Sequence, residues 1–226
     1  MSETRSLYEK RRKIYARVIA GRSQIFRILT ATVVYGLFFA IPWLTIGGEP
    51  MVHFDLSTRQ FHLFGTTFWP QDFMFLAWFL IIAAFSLFLF TSVAGRLWCG
   101  YACPQTIWTD LYIQVEKFFE GDRNARMRLD KAPWGPKKIF KKVSKHIVWL
   151  VIAAATGGAW ILYFHDAPTI ARDFLTGHAP MTSYVFVALM TLTTYWLAGH
   201  MREQVCTYMC PWPRIQAAMI DEDALN

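Results

Sequence analysis

Four apolar stretches decide most of what this chain of 226 residues can become: 28–47, 73–95, 147–164 and 181–199. None of them carries an Asp, Glu, Lys or Arg. Each approaches the ~20 residues that a helix needs to cross the hydrocarbon core of a bilayer. Helices apolar on every face over such lengths belong in a membrane rather than in a small soluble bundle. The remaining composition agrees, with 54% hydrophobic and only 17% charged residues. Nineteen Phe, ten Trp and four Cys exclude a disordered chain and a disulfide scaffold. The first apolar stretch is too long for a signal-peptide core and has no small-residue cleavage site, so it is expected to stay as an anchor.

The basic residues set the expected orientation. Eight lie before the first span, eleven between the second and third, and two (Arg202 and Arg214) after the fourth. The other two connections hold one each, Arg59 and Arg172. Lys and Arg collect on the cytoplasmic side, so both termini and the middle connection are expected there. The net charge of +7 is then explained by orientation and contact with anionic lipid, and no nucleic-acid partner is needed.

The chain also reads as a repeat. RLWCGYACPQTIW (96–108) and EQVCTYMCPWPRI (203–215) align at an offset of 107, pairing Cys99 with Cys206, Tyr101 with Tyr208, Cys103 with Cys210 and Pro104 with Pro211. Each motif follows a span running inward, so all four cysteines should meet at the cytoplasmic surface. The expected fold is an all-α membrane protein, with four transmembrane helices in two repeated halves, each followed by a cytoplasmic surface helix. Its divisions are a basic segment 1–24, a first membrane repeat 25–121, a basic connection 122–145, and a second repeat 146–226 ending in an acidic tail. In the helix after the first motif, Ile107, Leu111, Val115, Phe118 and Phe119 are expected on one face. Asp110, Gln114, Glu116, Lys117 and Glu120 are expected on others.

Thiols stay reduced in the cytoplasm, which disfavours disulfides. Inert cysteines fit poorly, because all four fall in matched C-x-x-x-C-P motifs. Zinc accepts four thiolates but gives no reason for the prolines. A Cys-Pro ending is a feature of bacterial iron–sulfur runs. The proline disfavours helix before it and suits the first helical position, so Cys103 and Cys210 are expected at helix N-caps. The positive end of each helix would then favour a thiolate centre, with Arg96 and Arg202 either adding charge compensation or serving as plain positive-inside anchors. Cys99, Cys103, Cys206 and Cys210 are the expected ligands of one 4Fe–4S cluster. Trp98, Tyr101, Trp108 and Tyr208 are candidate shields.

The two motifs and FHLFGTTFWPQDF (61–73) resemble the family of cytochrome c oxidase accessory proteins called CcoG, FixG or RdxA. The resemblance runs from about Tyr15 onward. It implies a protein of the bacterial inner membrane that assists assembly of cbb3-type oxidase, with oxidase assembly factors or a copper transporter as partners. It also implies reduction of cupric to cuprous ion, with copper as substrate. Family members continue into a ferredoxin-like domain, a fifth span and a periplasmic domain, so the chain resembles the N-terminal membrane part. A likeness to NapH gives a second reading, quinol oxidation, with Asp72 and His200 handling protons. A third is a non-redox assembly scaffold. The outer connections carry His53, His62, His165 and His178, with Met51 and Met181 nearby. Imidazole and thioether bind copper, but nine residues separate His53 from His62, and scattered solvated histidines are the expectation.

Overall fold

The computed structural model describes Tyr15 and residues 21–56, 58–95 and 97–219. Arg96, most of the basic N-terminal segment and the acidic tail lie outside the described residues, and so do the expectations placed on them.

The helices follow the apolar stretches. α1 (Arg22–Ala40) and α2 (Phe73–Ala94) precede the first motif. α3 (Pro104–Glu120) and α4 (Arg123–Lys131) follow it. Then come α5 (Pro136–Leu162), α6 (Ala167–Thr176) and α7 (Met181–Thr194), and finally α8 (Trp212–Met219) after the second motif. Four segments are long and apolar enough to cross a membrane: Arg22–Trp43, Pro70–Ala94, Pro136–Leu162 and Met181–Met201.

α5 and α7 form the close pair at the centre. A Cβ added to Gly157 would stand 2.9 Å from Thr191 Oγ1 and 3.0 Å from the Val187 carbonyl, so glycine is what lets the two helices approach. α1 leans on α3 and on the end of α5 through aromatic rings, Phe38 meeting Trp108, Trp160 and Tyr163. The Tyr163 hydroxyl donates to the Phe38 carbonyl at 2.8 Å.

Mostly helical is correct; all-α is not. Between α1 and α2 lie a two-stranded hairpin and a three-stranded sheet. β1 (Thr45–Ile46) pairs with β2 (Glu49–Pro50), and β3 (Val52–Asp55), β4 (Gln60–Leu63) and β5 (Thr66–Phe68) form an antiparallel sheet. The reason lies in alternation and turn chemistry. Phe54, Phe61 and Phe68 align across one face, and His53, His62 and Thr67 across the other. Two-residue turns at Gly47-Gly48 and Phe64-Gly65 have positive φ at both positions, the twist that favours tight hairpins. The sheet is tied to the bundle where the Phe54 N–H donates to the Tyr163 carbonyl at 2.8 Å.

Two further expectations change. The stretch read as a connection, 122–145, is helical: α4 fills its first part, and α5 starts eleven residues before the third apolar run. α3 does not turn its acids outward. Tyr112 is fully buried, Glu116 and Glu120 are buried beside it, and Phe118 is 83% exposed. The cations of α4 and α5 draw the acids inward, which apolar periodicity alone does not register.

Candidate metal centre

The two cysteine motifs follow the same backbone path, 107 residues apart. At the end of α2, Gly95 has φ 51° and ψ −109°. At the equivalent position, Arg202 has φ 44° and ψ −113°. A five-residue π-helical turn follows each, Trp98–Ala102 and Val205–Met209. Each turn closes with the second cysteine donating its N–H, Cys103 to Trp98 at 2.9 Å and Cys210 to Val205 at 2.8 Å. Both second cysteines are extended, with φ −64° and ψ 125° at Cys103 and φ −85° and ψ 123° at Cys210. Proline explains this, since it disfavours helix in the residue before it. Cys103 caps α3 as expected. The second helix starts one residue late, and the Pro211 carbonyl accepts from Arg214 and Ile215.

Each motif is fastened to the other half of the chain. Gln216 of α8 is 4% exposed; its amide donates to the Gly95 carbonyl at 2.8 Å. The Cys99 thiol donates to Gln216 Oε1, with sulfur and oxygen 3.6 Å apart. In the opposite sense, the Gln105 amide donates to the carbonyls of Leu197 (3.0 Å) and Arg202 (3.4 Å). Thr106 Oγ1 donates to the Cys99 carbonyl at 2.7 Å.

None of the four cysteines is in a disulfide, and all are half-buried. Burial pushes the Cys206 thiol pKa up, and Cys103, Cys210 and Glu203 raise it further. Thiols from both motifs are therefore near enough to oppose ionisation at one position. That is the electrostatic condition a cation relieves. Among the described residues, no three His, Cys, Asp or Glu side chains are already gathered as a ligand group. The donors suit an iron–sulfur cluster by number and chemistry. Of the candidate shields, Trp98 is 48% and Tyr208 79% exposed, and both stand outward. Trp98 and Tyr101 instead line an apolar cavity of about 890 Å³ with Phe26, Thr30, Leu87 and Phe90. Trp108 turns away and donates to Thr156 Oγ1 at 3.0 Å.

A buried charge network stands beside the second motif. Glu116 meets Arg202 at 2.8 Å, Arg126 at 2.9 Å and Lys145 at 3.5 Å. Glu120 meets Lys145 at 2.9 Å and Lys142 at 3.2 Å, and Lys142 reaches Asp130 at 2.7 Å. Burial opposes ionisation of Glu116, but the Arg202 hydrogen bond and the charges of Arg202, Lys145 and Arg126 prevail, leaving its pKa below the ordinary value. Arg202 also donates to the Gly199 carbonyl at 2.9 Å and lies over Trp149 at 5.5 Å. These contacts hold a non-glycine residue in a backbone region that favours glycine. Nearby, Tyr195 Oη and His146 Nδ1 are 2.8 Å apart, and the His146 and His200 rings stack at 6.0 Å between centres. The sequence names these residues but not their meeting.

At the other end of α2, the histidines are not all scattered. His53 and His62 are direct cross-strand partners, with ring centres 6.1 Å apart. A hairpin removes the nine-residue separation, which linear spacing overstates.

Comparison with known proteins places the motifs in context. A family described as a 4Fe-4S binding domain matches residues 73–123, which include Cys99 and Cys103. Nitrogen fixation protein FixG of Rhizobium meliloti (strain 1021) is 52% identical over 224 residues, covering 97% of this chain and 43% of the relative. Protein RdxB of Cereibacter sphaeroides is 47% identical over 230 residues, covering 100% of this chain and 48% of the relative. Protein RdxA of the same organism is 46% identical over 225 residues, covering 97% and 48%. The chain thus spans less than half the length of these curated relatives. No solved structure matches it.

Proposed function

Since the chain belongs to the FixG/RdxA family, we propose that it is the membrane electron-transfer part of an iron–sulfur protein that serves oxidase assembly. Cys99, Cys103, Cys206 and Cys210 would hold one 4Fe–4S cluster. The observation that carries this reading is the paired backbone path, which brings two C-x-x-x-C-P motifs to one end of the bundle and crosses their hydrogen bonds. A bound cluster supplies one-electron chemistry.

The chain's own groups do the rest. Gln216 and Gln105 fix the two motifs against each other. The N-terminus of α3 places a partial positive charge behind Cys103, which suits an anionic centre. Arg202 brings a guanidinium to the second motif and is itself held by Glu116. The same path supports a two-repeat reading, and the 21 basic residues on alternate segments against two on the others favour a cytoplasmic cysteine end. The substrate we assign is cupric ion, reduced to cuprous ion for cbb3-type oxidase in a bacterial inner membrane.

Anaerobic purification with iron, sulfide and copper analysis and EPR tests this reading. About four irons per chain are expected, lost in Cys99→Ser and in Cys206→Ser. Zinc in their place, or iron unchanged in both variants, refutes it. A quinol-oxidising role is favoured by one observation, the apolar cavity against Trp98 and Tyr101 in the first motif. Quinone difference spectra distinguish it: bleaching of the oxidised cluster by quinol, with no reoxidation of the reduced cluster by cupric ion, would replace copper with quinol.

A further inference from the structure

We propose that His53 and His62 form a site for a copper ion, held as Cu(I), on the polar face of the sheet between α1 and α2. The site lies beyond the cysteine centre and does not depend on it. α2 separates the two by 22 residues, about 33 Å of helix.

The geometry suits one ion between two imidazoles. Rings gripping a metal from opposite sides, each nitrogen about 2 Å from the ion and about 1 Å from its ring centre, have centres about 6 Å apart. The observed separation is 6.1 Å, with the planes 32° apart. His62 also has an orienting partner. Its Nδ1 is 3.1 Å from Thr67 Oγ1, on the adjacent strand. A proton on Nδ1 shared with that hydroxyl leaves Nε2 as the metal-binding atom, the arrangement that usually orients a ligand histidine. The register fixes both side chains on one face while Phe54, Phe61 and Phe68 occupy the other.

Two further features favour a soft cation. Met51 lies two residues before His53, and its carbonyl accepts from Phe64 N–H at 2.8 Å, continuing the ladder. Its thioether is a further soft donor beside the start of β3. Thioether and imidazole together suit Cu(I) better than hard cations. Residues 45–72 contain Glu49, Asp55 and Asp72 against Arg59, a net charge of −2 within a chain of +7. That local field attracts a cation.

The test is an anaerobic Cu(I) titration of the purified chain in detergent against a colorimetric Cu(I) chelator. His53→Ala and His62→Ala should each lose one equivalent of tightly held copper. His178→Ala should keep that equivalent, and iron content read on the same samples keeps failure of the cluster assignment distinguishable from failure of this site. Thr67→Val should weaken the site about tenfold through loss of the orienting hydroxyl. A second measurement uses the unaltered protein: one equivalent of Cu(I) above the number held by the His53→Ala chain should protect both histidines from diethylpyrocarbonate, read by peptide mass spectrometry. Undiminished copper in the His53→Ala/His62→Ala double variant, or unchanged modification of both histidines, overturns the proposal.

Discussion

Replacing Glu116 with Gln should unseat the second cysteine motif without touching a cysteine. The Glu116 side chain is 7% exposed and has three cations within 4 Å. Arg126 and Lys145, 3% and 6% exposed, are as deeply buried as the acid. Glutamine keeps the shape and removes the charge, so three cations lose their shared acid, while Lys145 keeps Glu120 at 2.9 Å. Breaking a buried pair on one side costs about 3–5 kcal/mol, mostly the penalty of the uncompensated charge. The assay is unfolding in detergent followed by circular dichroism, together with iron content. A loss of about 3 kcal/mol or more is expected, with reduced iron, because Arg202 loses its anchor. Acid should separate the two proteins. The carboxyl pKa lies below its usual 4.5, so its contribution is complete above that value and fades as pH falls through the lower folded one. The unaltered chain should lose stability in that window, while the variant's curve is flatter. A variant within 0.5 kcal/mol of the parent, about the size of a surface substitution, would refute the reasoning.

Three other outcomes are expected. Gly157→Ala should destabilise the α5–α7 pair by about 1–3 kcal/mol through overpacking, measured by thermal unfolding in detergent, while Gly158→Ala, with nothing within 4 Å of an added Cβ, should leave the melt unchanged or raise it. Gln216→Leu leaves the buried Gly95 carbonyl unpaired at about 1–3 kcal/mol and should speed iron loss to a chelator. Gly95→Ala should cost about 1–3 kcal/mol, because the backbone there is one that side chains rarely adopt; an unchanged melt would show that the kink relaxes.

The spans and the first motif's cap were legible because length, hydropathy and proline act locally. Pro104 dictates an extended Cys103 whatever surrounds it. The sheet was missed for a different reason. Its strands have two to four residues, too short to show a period, and its strongest signals were the Gly47-Gly48 pair and the alternation around Phe54 and Phe61. The buried acids of α3 were misread because their partners lie on α4, on α5 and at Arg202. Residues 116 and 202 meet only in three dimensions. The same reason hid His53 beside His62, a distance that a turn shortens and a residue count cannot.

Gly95 and Arg202 make the same bend, but only the first has a residue suited to it. The earlier bend is intrinsically at ease and can form as soon as its own segment leaves the ribosome. The later one is conditional: its guanidinium must find an acid already seated on α3. Synthesis from N- to C-terminus therefore imposes a sequence of events, in which the earlier half of the centre acts as a mould and the later half is cast against it. A chain halted between the two would carry a waiting, unfilled receptor for its own remainder.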